Sequence, residues 1–209
     1  DLSFSVPVRL DRHSKIGPKS VDKIFKATEK SIDQRKVFSD LFYVGNFLCA
    51  PSMLVKTACA RQIGGFHCGF LQLQDYHFTL KAMIAGFTVS VSENSTIAYR
   101  RDNGIDSLSA SSNNGRHDIE LPLVLEDAIA DARGSSLVAL FSDKLGNNCP
   151  TKHTGLLKAH ILMSHSSPSV RRRGLEGLLL WAQTSEQIQV ISDMYGLRGN
   201  EISDWLDVL

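Results

Sequence analysis

Long apolar runs are missing from this chain. No stretch approaches the ~18 consecutive apolar residues of a membrane-spanning helix, so none is expected to cross a bilayer. An excess of charge of one sign is missing too. Lys and Arg number 23 against 22 Asp and Glu, for a net charge of +1. That balance gives no electrostatic ground for binding nucleic acid or an anionic membrane. Cysteine is sparse. Cys49, Cys59, Cys68 and Cys149 form no Cys-x-x-Cys pair and no Cys/His zinc spacing, which leaves reduced core thiols in a cytoplasmic protein as the plain reading. The start, Asp1-Leu2-Ser3-Phe4-Ser5, has neither an initiator Met nor a signal-peptide pattern, so the chain is expected to begin inside a longer protein. A fixed-period internal repeat is also absent.

What is present is an ordinary globular composition. The 209 residues are 43% hydrophobic and 22% charged, enough for one domain or two small ones, each with a real core. The pattern divides the chain. Residues 1–115 read as mixed α/β and residues 116–209 as nearly all α.

In the first part, Val6-Pro7-Val8-Arg9-Leu10 alternates like a short strand. Residues 11–20 are polar, with Gly17-Pro18, and read as a loop. Val21, Ile24, Phe25 and Thr28 share one helical face. Ile32, Phe38, Leu41 and Phe42 mark a second helix that stops at Gly45-Asn46. Phe47-Leu48-Cys49-Ala50 predicts a buried strand, ended or bent by Pro51-Ser52 and continued by Met53-Leu54-Val55. Residues 56–62 predict a short helix closed by Gly64-Gly65. Asp75 opens a further helix, with Tyr76, Leu80, Met83 and Ile84 as its apolar face, closed by Gly86. Residues 87–91 and 96–99 predict strands on either side of the turn at Glu93-Asn94-Ser95. Residues 102–115 read as a long polar loop.

In the second part, helices are predicted over residues 118–133 (with Pro122 in its first turns), 137–145, 154–164, 168–183, 185–195 and 201–209. Gly134-Ser135-Ser136 is read as a break, and residues 146–150 as a linker. Ser167 with Pro168 forms a helix start, and Thr184 with Gln187 a capping box. Arg171-Arg172-Arg173 reads as a solvated helix face, with a phosphate-binding patch the alternative. Trp181 and Trp205 read as core anchors. His153, His160 and His165 have no metal-like spacing to any carboxylate.

The chemistry centres on Gly64-Gly65-Phe66 followed by Gln74-Asp75-Tyr76. From residue chemistry alone, Asp75 is a helix cap accepting backbone N–H groups or a general base placed by a helix start. Asn46 and Ser52 are turn and capping residues or line a site. His67 and His77 flank the same region as packed, surface or substrate-contacting groups.

Taken in order, several motifs resemble bacterial family 2 glycosyltransferases. Phe42-Tyr43-Val44-Gly45-Asn46-Phe47-Leu48-Cys49-Ala50-Pro51-Ser52 is similar to the segment leading into their acceptor site. Ile63-Gly64-Gly65-Phe66 resembles their glycine turn, and Gln74-Asp75-Tyr76 their acidic motif. Ala85-Gly86-Phe87 with Val89 and Val91 resembles the helix-to-strand step. Tyr99-Arg100-Arg101, then Asp102-Asn103 and Ser107-Leu108-Ser109, is similar to their Tyr-Arg element and serine-rich loop. The resemblance covers residues 35–120.

It implies an acceptor-side half of a GT-A fold over residues 1–115, followed by an all-α extension over 116–209. The implied reaction is inverting transfer from a nucleotide-sugar to a hydroxyl acceptor, with Asp75 as base. Asn46, Ser52, Gly65, Gln74, Arg100 and Arg101 are the substrate-binding residues it implies. Either arginine would meet the diphosphate, or pair with Asp102 instead. The family's nucleotide half lies upstream and carries an Asp-x-Asp motif for Mg²⁺ or Mn²⁺. No Asp-x-Asp occurs between Asp1 and Phe38, so the metal ligands are expected outside this chain, and this fragment alone is expected to be inactive. A sheet edge left by such a truncation would favour self-association. The alternative is a non-catalytic binding or protein-interaction module on a glycosyltransferase-like scaffold.

Overall fold

The computed structural model describes residues 1–10, 33–100, 114–145 and 149–196. Sequence expectations on residues 11–32, 101–113, 146–148 and 197–209 lie outside the described residues. These include the helix at 21–28, Arg101, Asp102, most of the 102–115 loop, the helix at 201–209 and Trp205. The chain is mixed α/β and falls into two compact units, Asp1–Glu120 and Leu121–Leu209.

In the first unit β1 (Leu2–Ser5) lies between two neighbours. It pairs antiparallel with β3 (Leu54–Val55) and parallel with β4 (Val89–Ser92). β2 (Val8–Leu10) pairs parallel with β5 (Ala98–Arg100). The register Leu2↔Val89 and Phe4↔Val91 puts four buried side chains on one face, as a two-residue period requires. The strands on either side of the 93–95 turn therefore do not pair with each other. Each finds its partner at the start of the chain.

α1 (Gln34–Val44) and α3 (Gln74–Ile84) supply the rest of that core. Val37, Phe38, Leu41 and Phe42 are buried on α1, and Tyr76, Phe78, Leu80, Ala82 and Met83 on α3. Tyr76 ties the two helices by donating its hydroxyl to the Leu41 carbonyl. Gln34 closes the outer edge of β4 at Val89. Its amide donates to the Val89 carbonyl (3.1 Å) and accepts from the Val89 N–H (2.8 Å), so a side chain stands where another strand would bind.

Residues 47–50 are not a strand. Asn46 Oδ1 accepts the Leu48 N–H (3.0 Å), and Ser52 N–H bonds the Cys49 carbonyl (2.9 Å). These local bonds compete with a ladder and wind the chain into a 3-10 turn, Ala50–Ser52. α2 (Thr57–Gln62) follows. Gly64 and Gly65 then turn the chain at φ 83° and 77°. A Cβ at either would meet nothing within 4 Å, so backbone conformation and not space is what favours glycine there.

In the second unit, α4 (Asn114–Ala130) begins one turn ahead of the expected start at residue 118, which leaves Pro122 in the helix interior. The helix itself begins in the first unit, before the boundary at Glu120. α5 is Gly134–Leu140, so the expected Gly-Ser-Ser break is its first turn. A Cβ on Gly134 would lie 2.9 Å from Thr154 Oγ1, which explains a glycine at a helix start. α6 (Thr154–Met163), α7 (Pro168–Trp181) and α8 (Ser185–Tyr195) complete the unit. Leu156, Ala159, Leu175, Leu178 and Ile191 form their shared core, with Trp181 packed against it. No helix among the described residues is long and apolar enough to cross a membrane.

Candidate functional site

Asp75 is not the cap of α3. The N-cap is Leu73, which offers no side-chain bond, and Asp75 is the second residue of the helix. Its half-buried carboxylate accepts the Asn46 amide, Nδ2 to Oδ2 at 3.1 Å, and the neighbouring backbone amides of Asp75 and Tyr76 also favour its ionised form. A negative group in the first turn also suits the helix dipole. Burial nevertheless outweighs these effects and holds the Asp75 carboxyl above the usual carboxylate range.

Asn46 is fixed from its other side. Because its Oδ1 accepts from Leu48 N–H, its NH₂ end must face Asp75. The sequence offered Asn46 as a turn residue or as part of the site. The structure joins the two, since the turn aims the amide at the carboxylate.

Ser52 takes the other course. Its buried hydroxyl accepts from Ser5 N–H (2.9 Å) and reaches the carbonyls of Cys49 (2.8 Å) and Ser5 (3.0 Å). These bonds hold the 3-10 turn on β1, the turn role that the sequence also offered for Ser52. Nearby, burial pushes the Cys49 thiol up and the charge on Asp75 adds to the effect, against opposing bonds from Ser52. Cys49 is held neutral and is no competing nucleophile.

Gly65 belongs to the turn after α2, its N–H bonding the Ala60 carbonyl (2.9 Å). Phe66, beside it, stacks on Phe78 of α3 at 4.6 Å. His67 and His77 join Phe70 in a ring cluster, with centroids 4.4 to 5.5 Å apart. His77 is buried in that cluster, whereas His67 is exposed, with its Nδ1 accepting from Gly69 N–H. Gln74 is the exposed first residue of α3, next to Asp75. Arg100 ends β5 opposite Leu10.

Sequence reasoning missed Glu120. Its buried carboxylate accepts three successive backbone N–H groups, those of Leu71 (3.0 Å), Gln72 (2.9 Å) and Leu73 (2.9 Å). Burial alone would raise its pKa. The three donors and the charge of Arg116 prevail and hold it below the usual range. The pattern around Glu120 carries no local signal for this, because its partners lie 47 to 49 residues earlier.

The basic run on α7 lies on a partly solvated face and carries local ion pairs and carbonyl contacts. Arg171 donates to the Ser166 carbonyl, Arg172 meets Glu176, and Arg173 meets Glu126 (2.7 Å) and Glu176 (3.0 Å). These pairings oppose a phosphate patch. Among the described residues no group of three or more His, Cys, Asp or Glu side chains could hold a metal. They do not fit Mg²⁺ or Mn²⁺, and no chemistry is assigned to such an ion on this chain.

Comparison with protein families, with curated proteins and with solved structures gave no match to this chain.

Proposed function

We propose that this chain is the acceptor-side part of an inverting, family 2-like glycosyltransferase of GT-A fold, with Asp75 as its general base. One observation carries the reading. A half-buried carboxylate stands at the start of α3, oriented by Asn46 and with its affinity for a proton raised. A sugar hydroxyl is a weak nucleophile. A carboxylate whose pKa is shifted toward neutrality removes its proton more effectively than one at the ordinary value.

In the proposed step the acceptor oxygen bonds to the anomeric carbon while its proton passes to Asp75. The bond from that carbon to the diphosphate breaks, and the nucleoside diphosphate leaves with the electron pair. Gln74, Gly65 and the Arg100-Arg101 pair are the remaining substrate-side residues of this reading. The nucleotide-sugar site, with its Mg²⁺ or Mn²⁺, belongs to residues beyond this chain. Four free cysteines favour a reducing, cytoplasmic setting. Exposed Val44, Leu54, Phe66 and Leu71 favour cover by a second copy of the fragment, and a strictly monomeric chain in sedimentation would remove that last point.

Turnover of nucleotide-sugars by the full-length protein tests the reading. Asp75→Asn should lower transfer by ~10²- to 10⁴-fold with the thermal midpoint kept or raised. Unchanged turnover in that variant would take Asp75 out of the mechanism. Sugar binding without turnover by the wild type would favour a non-catalytic binding module.

A further inference from the structure

Two carboxylates stand at the entry to α3, and they take different donors there. Glu120 takes the N–H groups of Leu71, Gln72 and Leu73, which precede the helix. Asp75, just inside the helix, is held by the Asn46 amide instead. Three successive N–H groups converging on one anion form a nest, and this one is filled by a side chain from α4. Leu73, the N-cap, brings no side-chain acceptor of its own.

We infer that Glu120 is a positioning residue for Asp75: by holding the three N–H groups it fixes where α3 begins and leaves the Asp75 carboxylate free to face a substrate. The inference rests on the glycosyltransferase reading for its kinetic consequence, but not for its geometry. Without Glu120, Leu71, Gln72 and Leu73 would present unsatisfied donors two to four residues from Asp75. A buried unpaired N–H is costly, and the Asp75 carboxylate is the anion at hand in the same segment. It would turn toward the loop and leave the Asn46 amide.

The two groups also suit different tasks. Glu120 is held ionised by its donors and by Arg116, so it remains a fixed anion while Asp75 exchanges a proton. Environments that push two carboxylates apart in this way separate a structural charge from an acid–base group.

The test combines Glu120→Gln and Glu120→Asp. Glutamine keeps the length and loses the charge. Aspartate keeps the charge, but one methylene shorter it cannot span three N–H groups from the same helix. Carbon-13 NMR of the Asp75 carboxyl in this chain should show the titration midpoint moved by both variants. In the full-length protein both should lose kcat by ~10- to 100-fold, with KM for the donor within about twofold of wild type. If aspartate at 120 leaves Asp75 titrating as in the wild type, Glu120 acts through charge alone and the inference is overturned.

A measurement on the unaltered chain guards against variants that fail to fold. The amide shifts of Leu71, Gln72 and Leu73 should titrate with Glu120, below the ordinary carboxylate range, and not with Asp75 above it. Amides that follow Asp75 would overturn the inference as well. Absence of turnover in the wild-type full-length protein would defeat the functional reading, while the titrations would still decide the role of Glu120.

Discussion

Removing the Asn46 side chain strips Asp75 of the one side-chain donor described for it. The perturbation is Asn46→Ala. A hydrogen bond to a charged acceptor contributes about 1.5–3 kcal/mol, and the half-buried position of Asp75 favours the lower part of that range. The bond serves the ionised carboxylate only, so losing it penalises ionisation. At about 1.4 kcal/mol per pH unit, the Asp75 midpoint should rise by roughly one pH unit over its wild-type position. Asn46→Asp should push further in the same direction. It keeps the bond from Leu48 N–H but sets a carboxylate oxygen where a donor stood, 3.1 Å from Asp75 Oδ2, and two such oxygens must share a proton. Carbon-13 NMR of the Asp75 carboxyl reads both shifts. In the full-length protein the acid limb of the transfer rate should move upward by the same amount, since the base must be ionised to act. An Asp75 midpoint that stays put or falls in Asn46→Ala would refute the claim that Asn46 stabilises the anion.

Other consequences are equally measurable. Ser52→Ala removes the buried acceptor of Ser5 N–H and should cost about 1–3 kcal/mol in urea unfolding, with transfer per folded molecule preserved; a selective loss of kcat would return Ser52 to the substrate site. The carboxylates give stability opposite pH trends. Glu120, lowered in the fold, contributes stability that is present above its unfolded pKa and lost as pH falls through its folded value. Asp75, raised in the fold, costs stability as pH rises from the ordinary carboxylate value to its own. Urea titrations across acid pH should therefore show an acid limb that Glu120→Gln flattens and a loss toward neutrality that Asp75→Asn removes. On α7, Gly174→Ala sets a Cβ 2.5 Å from Met163 N and 2.8 Å from Ala159 O, forces the backbones of α6 and α7 apart, and should destabilise by about 1–3 kcal/mol. Gly177→Ala meets only Ala159 Cβ, at 3.7 Å, and should stabilise by about 0.5–1 kcal/mol; equal effects at both positions would contradict the packing described.

Local signals were legible. The capping box of α8 could be read from Thr184 and Gln187 because its two bonds, Gln187 N–H to Thr184 Oγ1 and Thr184 N–H to Gln187 Oε1, close within one turn. Apolar faces of period 3.6 placed α1 and α3 for the same reason. β1 was not legible. Four residues with one exposed position carry too little pattern, and what makes Leu2–Ser5 a strand is its pairing with Val89–Ser92 near the other end of the unit. The reading of residues 47–50 failed differently. The apolar run was real, since Leu48 and Cys49 are buried, but Asn46 and Ser52 bond the intervening backbone and bend it out of a strand.

The same distinction separates residues that looked alike. Asn46 and Ser52 flank one apolar run, and each can serve a turn or a site. What parts them is a partner far along the chain: Asp75, 29 residues on, for Asn46, and Ser5, 47 residues back, for Ser52. Nothing in either residue's neighbourhood encodes that choice. The same holds for Asp75, whose motif supplies a carboxylate near a helix start and nothing more. Its orientation comes from Asn46, and its raised affinity for a proton comes from burial, with Asn46 and Cys49 of the 46–52 turn beside it. A site of this kind cannot be transplanted with the Gln-Asp-Tyr motif alone. A peptide carrying residues 64–84 would keep Asp75 in sequence and lose both Asn46 and Glu120, and its carboxyl should titrate in the ordinary range. A raised midpoint in that peptide would show that the motif suffices and that the long-range partners do not matter.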